Sequence, residues 1–415
     1  IRRRNGTEEV TYLHPLLERS LAKTLGIPLF QEQLMEMAID VAGFSPGEAD
    51  QLRQAMGSKR SAERMGRLKA RFFEGMAERE IGPELGEQIW SKLAAFANFG
   101  FPESHSVSFA YLVYSSSWLK LHYPAAFCAG LLDAQPMGFW SPQTLVSDAR
   151  RHGVTVLGPD VNVSCAESLL EADPSSSGGA ALRLGISYVR GLGDEVAARV
   201  AAGRPYRDLE DLVGRAELTS AQAEALATAG ALGCFGLSRR EALWSAGAVA
   251  QHSGPSNRRW RRLPGLVTGA DPPALAAMDA VETNRADLWA LGLSPDSFPT
   301  EFVRPALAAR GVLLAAELIK HRAGERVEVA GVVTHRQRPA TAGGTVFMNL
   351  EDESGLVNVI FSEGAWVRYG LVARSTPALV VGGRLESAEG VVNLVAERVE
   401  ALLLPSRAPR SRDFR

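Results

Sequence analysis

The residues best suited to chemistry form one short polar kernel, Ser104-His105-Ser106. Gly100 and Pro102 break any helix before it, and an apolar run from Val107 to Leu121 follows. The spacing predicts a helix over this run, apolar on nearly every side and therefore buried. A polar trio at the N-terminal mouth of such a helix has free backbone N–H groups and the positive end of the helix dipole beside it. That suits an anion, phosphate above all. The same residues also read as a plain cap, with Ser104 or Ser106 closing the helix and His105 on the surface. A basic turn in the same helical part of the chain, Gly57-Ser58-Lys59-Arg60 with Arg53 just before it, offers charges that could share a phosphate with the trio.

Two further groups point to nucleic acid. Arg190-Gly191-Leu192-Gly193 is a Gly-hydrophobe-Gly turn entering a helix, the pattern of a helix-hairpin-helix hairpin. Its glycines let the backbone come close to a DNA phosphate, in a contact that reads no base. The alternative is a turn and nothing more. Farther on, Phe347 would offer a stacking platform on the exposed face of a β-barrel, with Arg336 and Arg338 in the first loop. The alternative there is a core Phe347 in a barrel that is only a spacer. Arg258-Arg259-Trp260-Arg261-Arg262 could hold phosphates but reads more readily as a solvated charged linker, and Leu263–Val267 as a short apolar docking peptide of low specificity.

The elements that must position these residues follow from periodicity. From Tyr12 to about Pro159 the pattern is helical. Leu34, Ala38 and Val41 share a face that Gly43 ends, and Ser45-Pro46-Gly47-Glu48 opens the next helix as a capping box. Leu85, Ile89, Leu93 and Phe96 line another, and helices are expected from Pro124 to Leu132 and from Thr144 to His152. A Ser/Gly-rich stretch at 173–179 marks a linker or hairpin loop, followed by a strand from Ala181 to Val189, a helix over 194–202, and a capped helix from Thr219 to about Ala229. Between Ala248 and Phe302 the pattern fades. The last region alternates as five strands with a helix between the third and fourth, the order of an OB-fold.

Composition narrows the classes. The 415 residues allow two to four domains. A net charge of -2 gives no global basic signature, so nucleic-acid binding has to rest on local patches. Three widely spaced cysteines make no metal or disulfide pattern, which fits a reducing cytosol. No membrane span is expected, because Lys120, His122 and Pro124 interrupt the apolar run. Beginning at Ile1-Arg2-Arg3-Arg4, the chain reads as a portion of something larger.

The wording itself carries a resemblance. Gly26-Ile27-Pro28-Leu29-Phe30-Gln31-Glu32-Gln33, Leu52-Arg53-Gln54-Ala55-Met56-Gly57-Ser58-Lys59, Phe99-Gly100-Phe101 with Ser104-His105-Ser106, and Trp118-Leu119-Lys120-Leu121-His122-Tyr123-Pro124 occur in this order. Together they resemble the C-family bacterial DNA polymerase, the DNA polymerase III alpha subunit, from about Ile1 to about Leu403. The resemblance implies a multidomain chain: an α-helical fingers domain over 1–165 with a palm-boundary remnant at its start, a mixed, mainly helical helix-hairpin-helix duplex-binding domain over 166–247, a linker and clamp-proximal region over 248–310, an OB-fold barrel over 311–404, and a disordered tail over 405–415. It implies that Arg53, Lys59, Arg60, Ser104 and His105 bind the incoming nucleotide, and that Arg190, Gly191, Gly193, Arg336, Arg338 and Phe347 meet DNA.

Two departures refine this. The family's paired arginines and lysines around Ala-Met-Gly are here Arg53-Gln54 and Ser58-Lys59. The chain also ends shortly after the barrel and carries Trp289-Ala290-Leu291-Gly292-Leu293-Ser294-Pro295, which looks like the error-prone, damage-tolerance branch. Nucleotidyl transfer needs carboxylates for two Mg²⁺ ions. In this family they sit in the palm, and no Asp-x-Asp in a strand context occurs here. The implied protein is therefore a cytoplasmic DNA-directed polymerase acting on primer-template and deoxynucleoside triphosphates, with Mg²⁺ held elsewhere, no catalytic residue in this chain, and no polymerisation by the chain alone. Damage-tolerance accessory proteins are implied partners. The sliding clamp is a weaker one, since Leu263–Val267 lacks the family's Gln and terminal aromatic. A non-enzymatic nucleic-acid adaptor built on the same hairpin and barrel modules is the rival reading.

Overall fold

The computed structural model describes residues 1–56, 62–97, 101–138, 140–253, 271–339, 342–388, 390–406, 408 and 411–414. They form two compact units, Ile1–Ser117 and Trp118–Arg415.

In the first unit, α1 (Glu18–Leu21) leads to α2 (Gln31–Ala42), α3 (Pro46–Met56), α4 (Ala62–Ala77), α5 (Pro83–Ala97) and the start of α6 (Glu103–His122). Leu34, Met37, Ala38 and Val41 recur at helical spacing on α2. They are buried with Leu52 of α3, Phe72 and Met76 of α4, and Ile89 and Leu93 of α5. The capping box predicted for α3 is present. The Ser45 hydroxyl accepts from the Glu48 N–H at 3.3 Å, and the Glu48 carboxylate accepts from the Ser45 N–H at 2.7 Å. Helix α4 escapes the sequence reading because Leu68, Phe72 and Met76 stand among charged residues. It lies so close to the end of α2 that a Cβ at Gly75 would overlap the Ala42 carbonyl.

Helix α6 corrects an expectation. The apolar run does fold as a helix, but none of the helix's residues is buried, and Tyr111 and Tyr114 are each about three-quarters exposed. Hydropathy on every side states that a helix needs cover. It does not state that the elements described here supply it.

The second unit opens with α7 (Pro124–Asp133) and α8 (Pro142–Arg151). A small sheet follows, made of β1 (Val156–Leu157), β2 (Leu169–Ala172) and β3 (Ala180–Arg183), with β3 in the middle, parallel to β1 and antiparallel to β2. The Ser/Gly-rich stretch is the loop between β2 and β3. The strand expected over 181–189 stops at Arg183, and a 3-10 turn follows over Ile186–Tyr188. Gly185, where the path changes, is pressed against the backbone of Ala166 and Glu167. Helices α9 (Gly193–Ala202), α10 (Leu209–Arg215), α11 (Ser220–Thr228) and α12 (Arg239–Ser253) share one core with α7, α8 and the small sheet, around Leu182, Ile186, Leu212 and Leu226. The weakly patterned region contains α13 (Ala280–Ala290), capped by Asp279, which accepts from the Glu282 N–H at 2.8 Å.

After α14 (Arg304–Ala309), the chain forms β4 (Arg326–Gln337), β5 (Val346–Glu351), β6 (Leu356–Phe361), α15 (Glu363–Ser375), β7 (Ala378–Ala388), β8 (Val391–Ala401) and β9 (Arg412–Phe414). The neighbour order β4-β5-β6-β8-β7 closes on itself through β4, with β6 and β8 parallel. A closed five-stranded barrel with its helix between the third and fourth strands is OB-like, as the alternation predicts. Val346, Met348, Leu350, Val359 and Phe361 fill it. Strand β9 is an extra, parallel to β4. No helix among the described residues is long and apolar enough to cross a membrane.

Candidate nucleotide and nucleic-acid sites

The trio opens α6 on the surface of the first unit. The Phe101 carbonyl accepts from the Gln31 N–H at 3.1 Å, and the Glu32 carboxylate accepts from the Glu103 N–H at 2.9 Å, so the start of α6 is tied to the start of α2. Glu103 is also paired with Lys23. Ser104 and His105 are exposed. The His105 ring lies between Phe101 and Phe109, with centroids 5.0 and 4.5 Å away. Ser106 donates back to the Pro102 carbonyl at 3.3 Å. The first turn of a 20-residue helix thus faces solvent with a serine and an aromatic-stacked imidazole on it. One N–H of this turn, that of Glu103, already meets the Glu32 carboxylate, the sign of charge that the helix dipole favours there.

Arg53 lies in the last turn of α3. Its guanidinium donates to Asp50 at 3.0 and 2.8 Å, and Gln54 donates to the other oxygen of the same carboxylate at 2.7 Å. The Arg53 hydrogen bond holds the Asp50 carboxyl below the usual carboxylate range. Arg53 is thus partnered by Asp50, and no contact joins it to Ser104 or His105. Lys59 and Arg60 lie outside the described residues.

The hairpin has the geometry its sequence implies. Val189 and Leu192 are buried and pin the turn, while Arg190, Gly191 and Gly193 face outward. Gly191 and Gly193 have φ of +80° and +64°, and a Cβ at either would meet nothing within 4 Å. Backbone conformation, not crowding from inside, asks for glycine here, and the outer side is open to a partner. The Arg190 N–H donates to the Ala290 carbonyl of α13 at 2.8 Å, and its guanidinium lies 5.1 Å over the Trp289 ring. Sequence reasoning missed this support. The Asp279-x-x-Glu282 capping box was the available signal for α13.

In the barrel the three candidate residues part company. Phe347 points outward from β5 and is 38% exposed, so it is not core. Arg338 is exposed just past β4. Arg336 does not sit in the first loop as expected but in β4, and it is buried. It donates to the Ala373 carbonyl at 2.9 Å, the Thr376 carbonyl at 3.2 Å and Asp413 at 3.0 Å. A strand position that alternates inward places it against the turn after α15, and no face of it is left for a phosphate.

The carboxylates near the barrel are structural. Glu351 is fully buried and accepts from Thr144 at 2.7 Å and from Arg151 at 3.0 Å, with burial pushing its carboxyl up. Arg304 donates to Asp352 at 3.1 Å and to Glu353. Burial raises Asp352. For Glu353 burial also pushes upward, but the hydrogen bonds from Arg304 and Thr300 outweigh it. No group of three or more His, Cys, Asp or Glu side chains placed to hold a metal occurs among the described residues.

Residues 1–80 match the bacterial DNA polymerase III alpha subunit finger domain, and residues 153–242 match a helix-hairpin-helix motif. The chain is 59% identical over 428 residues to an error-prone DNA polymerase of Nocardia farcinica, an alignment covering 100% of this chain and 36% of the relative. The chain belongs to the C-family bacterial DNA polymerases. Within the C-family it is similar to the error-prone branch: a Mycolicibacterium paratuberculosis error-prone DNA polymerase is 55% identical over 420 residues, with 100% of this chain and 37% of that relative covered. The chain spans little more than a third of the curated relatives it matches. Among solved structures, an asparaginyl-tRNA synthetase from Pyrococcus horikoshii aligns over 23% of this chain and 24% of its own at 19% identity and a TM-score of 0.20, too slight to argue from.

Proposed function

We propose that this chain is the nucleotide- and DNA-gripping portion of an error-prone, DNA-directed DNA polymerase that works in the bacterial cytoplasm in replication and damage-tolerant repair synthesis. The observation that carries the reading is identity of 59% along the whole chain to a relative of that name. Ser104 and His105, at the open N-terminal turn of α6, and Arg53 at the end of α3 hold the triphosphate of the incoming nucleotide. Lys59 and Arg60, outside the described residues, add charge. Their work is to neutralise the phosphates and align the α-phosphate, by position and field rather than by proton transfer. The Asp50–Arg53 pair is exposed, so exchanging Asp50 for a phosphate costs little.

Arg190, Gly191 and Gly193 meet the product duplex backbone. Phe347 and Arg338 on the barrel meet single-stranded template, Phe347 by stacking and Arg338 by charge. Arg336, buried, takes no part. In the family this chain resembles, the carboxylates that hold Mg²⁺ lie in the palm, which is not among the domains assigned to this chain, and on that reading the chain alone does not extend a primer. The Leu263–Val267 peptide, outside the described residues, is a weak candidate for the sliding clamp, and accessory proteins of damage tolerance are further partners.

The test uses the 415-residue chain. It should bind primer-template with an affinity that falls steeply as salt rises from 50 to about 200 mM, and should add no nucleotide when Mg²⁺ is supplied. Primer extension by the purified chain contradicts the assignment of catalysis elsewhere. Absence of DNA binding even at low salt contradicts the whole reading.

A further inference from the structure

The hairpin carries an electrostatic conflict. Helix N-termini attract phosphate through their free amides, but the first turn of α9 also holds Asp194 and Glu195, both exposed. Two carboxylates so placed oppose the field of the amides, so cationic charge has to come from elsewhere on the turn. Arg190, immediately before Gly191, supplies it. A free arginine on a surface turn samples many rotamers, and ordering it on a phosphate costs side-chain entropy.

Here it is not free. Its guanidinium lies 5.1 Å over the face of Trp289, and its backbone N–H is fixed to the Ala290 carbonyl at 2.8 Å. Trp289 is half-exposed, yet the helix that bears it is anchored. Asp287 of α13 is fully buried and accepts from Arg239 of α12 at 2.6 Å and from Ser294 at 2.8 Å. Ala290, the next residue after Trp289, is buried in the same core as Leu192. The hairpin thus rests on a rigid shelf from residues 280–290, beyond the 153–242 segment that matches the helix-hairpin-helix motif.

We propose that Trp289 is a positioning residue for duplex binding: its ring holds the Arg190 guanidinium, by a cation–π contact, in the place where the hairpin meets a duplex phosphate. This rests on the reading that the hairpin grips DNA. The contact is with the sugar-phosphate backbone and so is indifferent to sequence. An arginine pre-ordered on a ring loses less freedom on binding than a free one, and its guanidinium edge stays open for hydrogen bonds to phosphate oxygens.

The test measures binding of the full 415-residue chain to a fluorescent 20-base-pair duplex across a salt series. Arg190→Ala should weaken binding and flatten the salt dependence by about one unit of slope. Trp289→Ala should weaken it about two- to fivefold, and Trp289→Phe, which keeps an aromatic face, should retain most of the affinity. Trp289→Leu, which keeps bulk without the face, should behave as alanine does and serves if the alanine variant unfolds. In an Arg190→Ala background, Trp289→Ala or Trp289→Leu should have no further effect. Wild-type affinity for Trp289→Leu, or a full effect that persists without Arg190, overturns the proposal while leaving the hairpin reading standing. Unchanged binding and salt slope in Arg190→Ala overturn both.

Discussion

Asp287 offers a direct reading of how α13 is held. It is completely buried, 2.6 Å from the Arg239 guanidinium and 2.8 Å from the Ser294 hydroxyl. Burial raises its carboxyl despite Arg239, so desolvation outweighs the ion pair. Asp287→Ala would leave Arg239, itself mostly buried, without its partner, and would open a small polar void. The cost of breaking such a pair from one side is about 3–5 kcal/mol. Asp287→Asn keeps the volume and the Ser294 hydrogen bond and removes a charge that was expensive to bury, so it should cost roughly 1–2 kcal/mol.

The sign with pH follows from the raised value. A carboxyl raised on folding stabilises most below its unfolded pKa, and that stabilisation is lost as pH rises through the folded one. Wild type should therefore gain stability over Asp287→Asn as pH is lowered from 7 towards about 4. Urea unfolding followed by tryptophan fluorescence at several pH values measures all three quantities. Equal costs for Asn and Ala, or a gap between wild type and Asn that closes on acidification, would refute the claim that desolvation dominates.

Other predictions follow from the same geometry. Arg304→Ala removes the cation shared by Asp352 and Glu353 at the edge of the barrel, leaving Asp352 its hydrogen bonds from the Ala315 N–H and Ser354, and Glu353 the one from Thr300. It should cost on the order of 3 kcal/mol at pH 7 and less at pH 5, where the two carboxyls take up protons; an equal cost at both pH values in chemical denaturation contradicts it. Partial desolvation by its neighbours, together with the Asp160 carboxylate, pushes the Cys234 thiol up to about 11 although the residue reaches solvent. Its alkylation by iodoacetamide, followed by mass spectrometry, should accelerate about tenfold per pH unit from 8 to 10, and a rate that levels off below pH 9 goes against it. The uncovered apolar side chains of α6 should bind a hydrophobic dye in the folded chain, and Leu112→Ser with Val113→Ser should reduce that signal without lowering the unfolding midpoint, because neither residue is buried. A fall in the midpoint together with the signal would mean that these residues are core.

The parts of this fold that were legible in the sequence are those where local chemistry and tertiary packing agree. Ser45 with Glu48, and Thr219 with Gln222, announce their helices because capping residues act within one turn. The barrel is readable because Val346, Met348 and Leu350 alternate with outward residues along one strand. What stayed hidden depends on distant partners. Arg336 looks like any basic residue at a strand end, and only the closure of β4 past the end of α15 shows that its guanidinium is spent on the Ala373 and Thr376 carbonyls. Helix α6 looked buried because hydropathy records demand for cover and not its supply. The hairpin glycines were readable from their spacing, but the Trp289 shelf beneath Arg190 comes from almost 100 residues later in the chain.

The central claim is that this chain positions the incoming nucleotide, and Arg53→Ala in the full-length polymerase tests it most directly. The Asp50–Arg53 pair is solvent-exposed, with side chains 44% and 36% accessible. Its loss should change stability little, as for most solvent-exposed ion pairs, so any large kinetic effect is local. Steady-state incorporation on a primer-template should show the KM for deoxynucleoside triphosphate raised about tenfold or more, the loss of one charge-assisted phosphate contact, with affinity for the primer-template nearly unchanged. Equal loss of nucleotide and DNA binding, or no loss of either, would contradict the account.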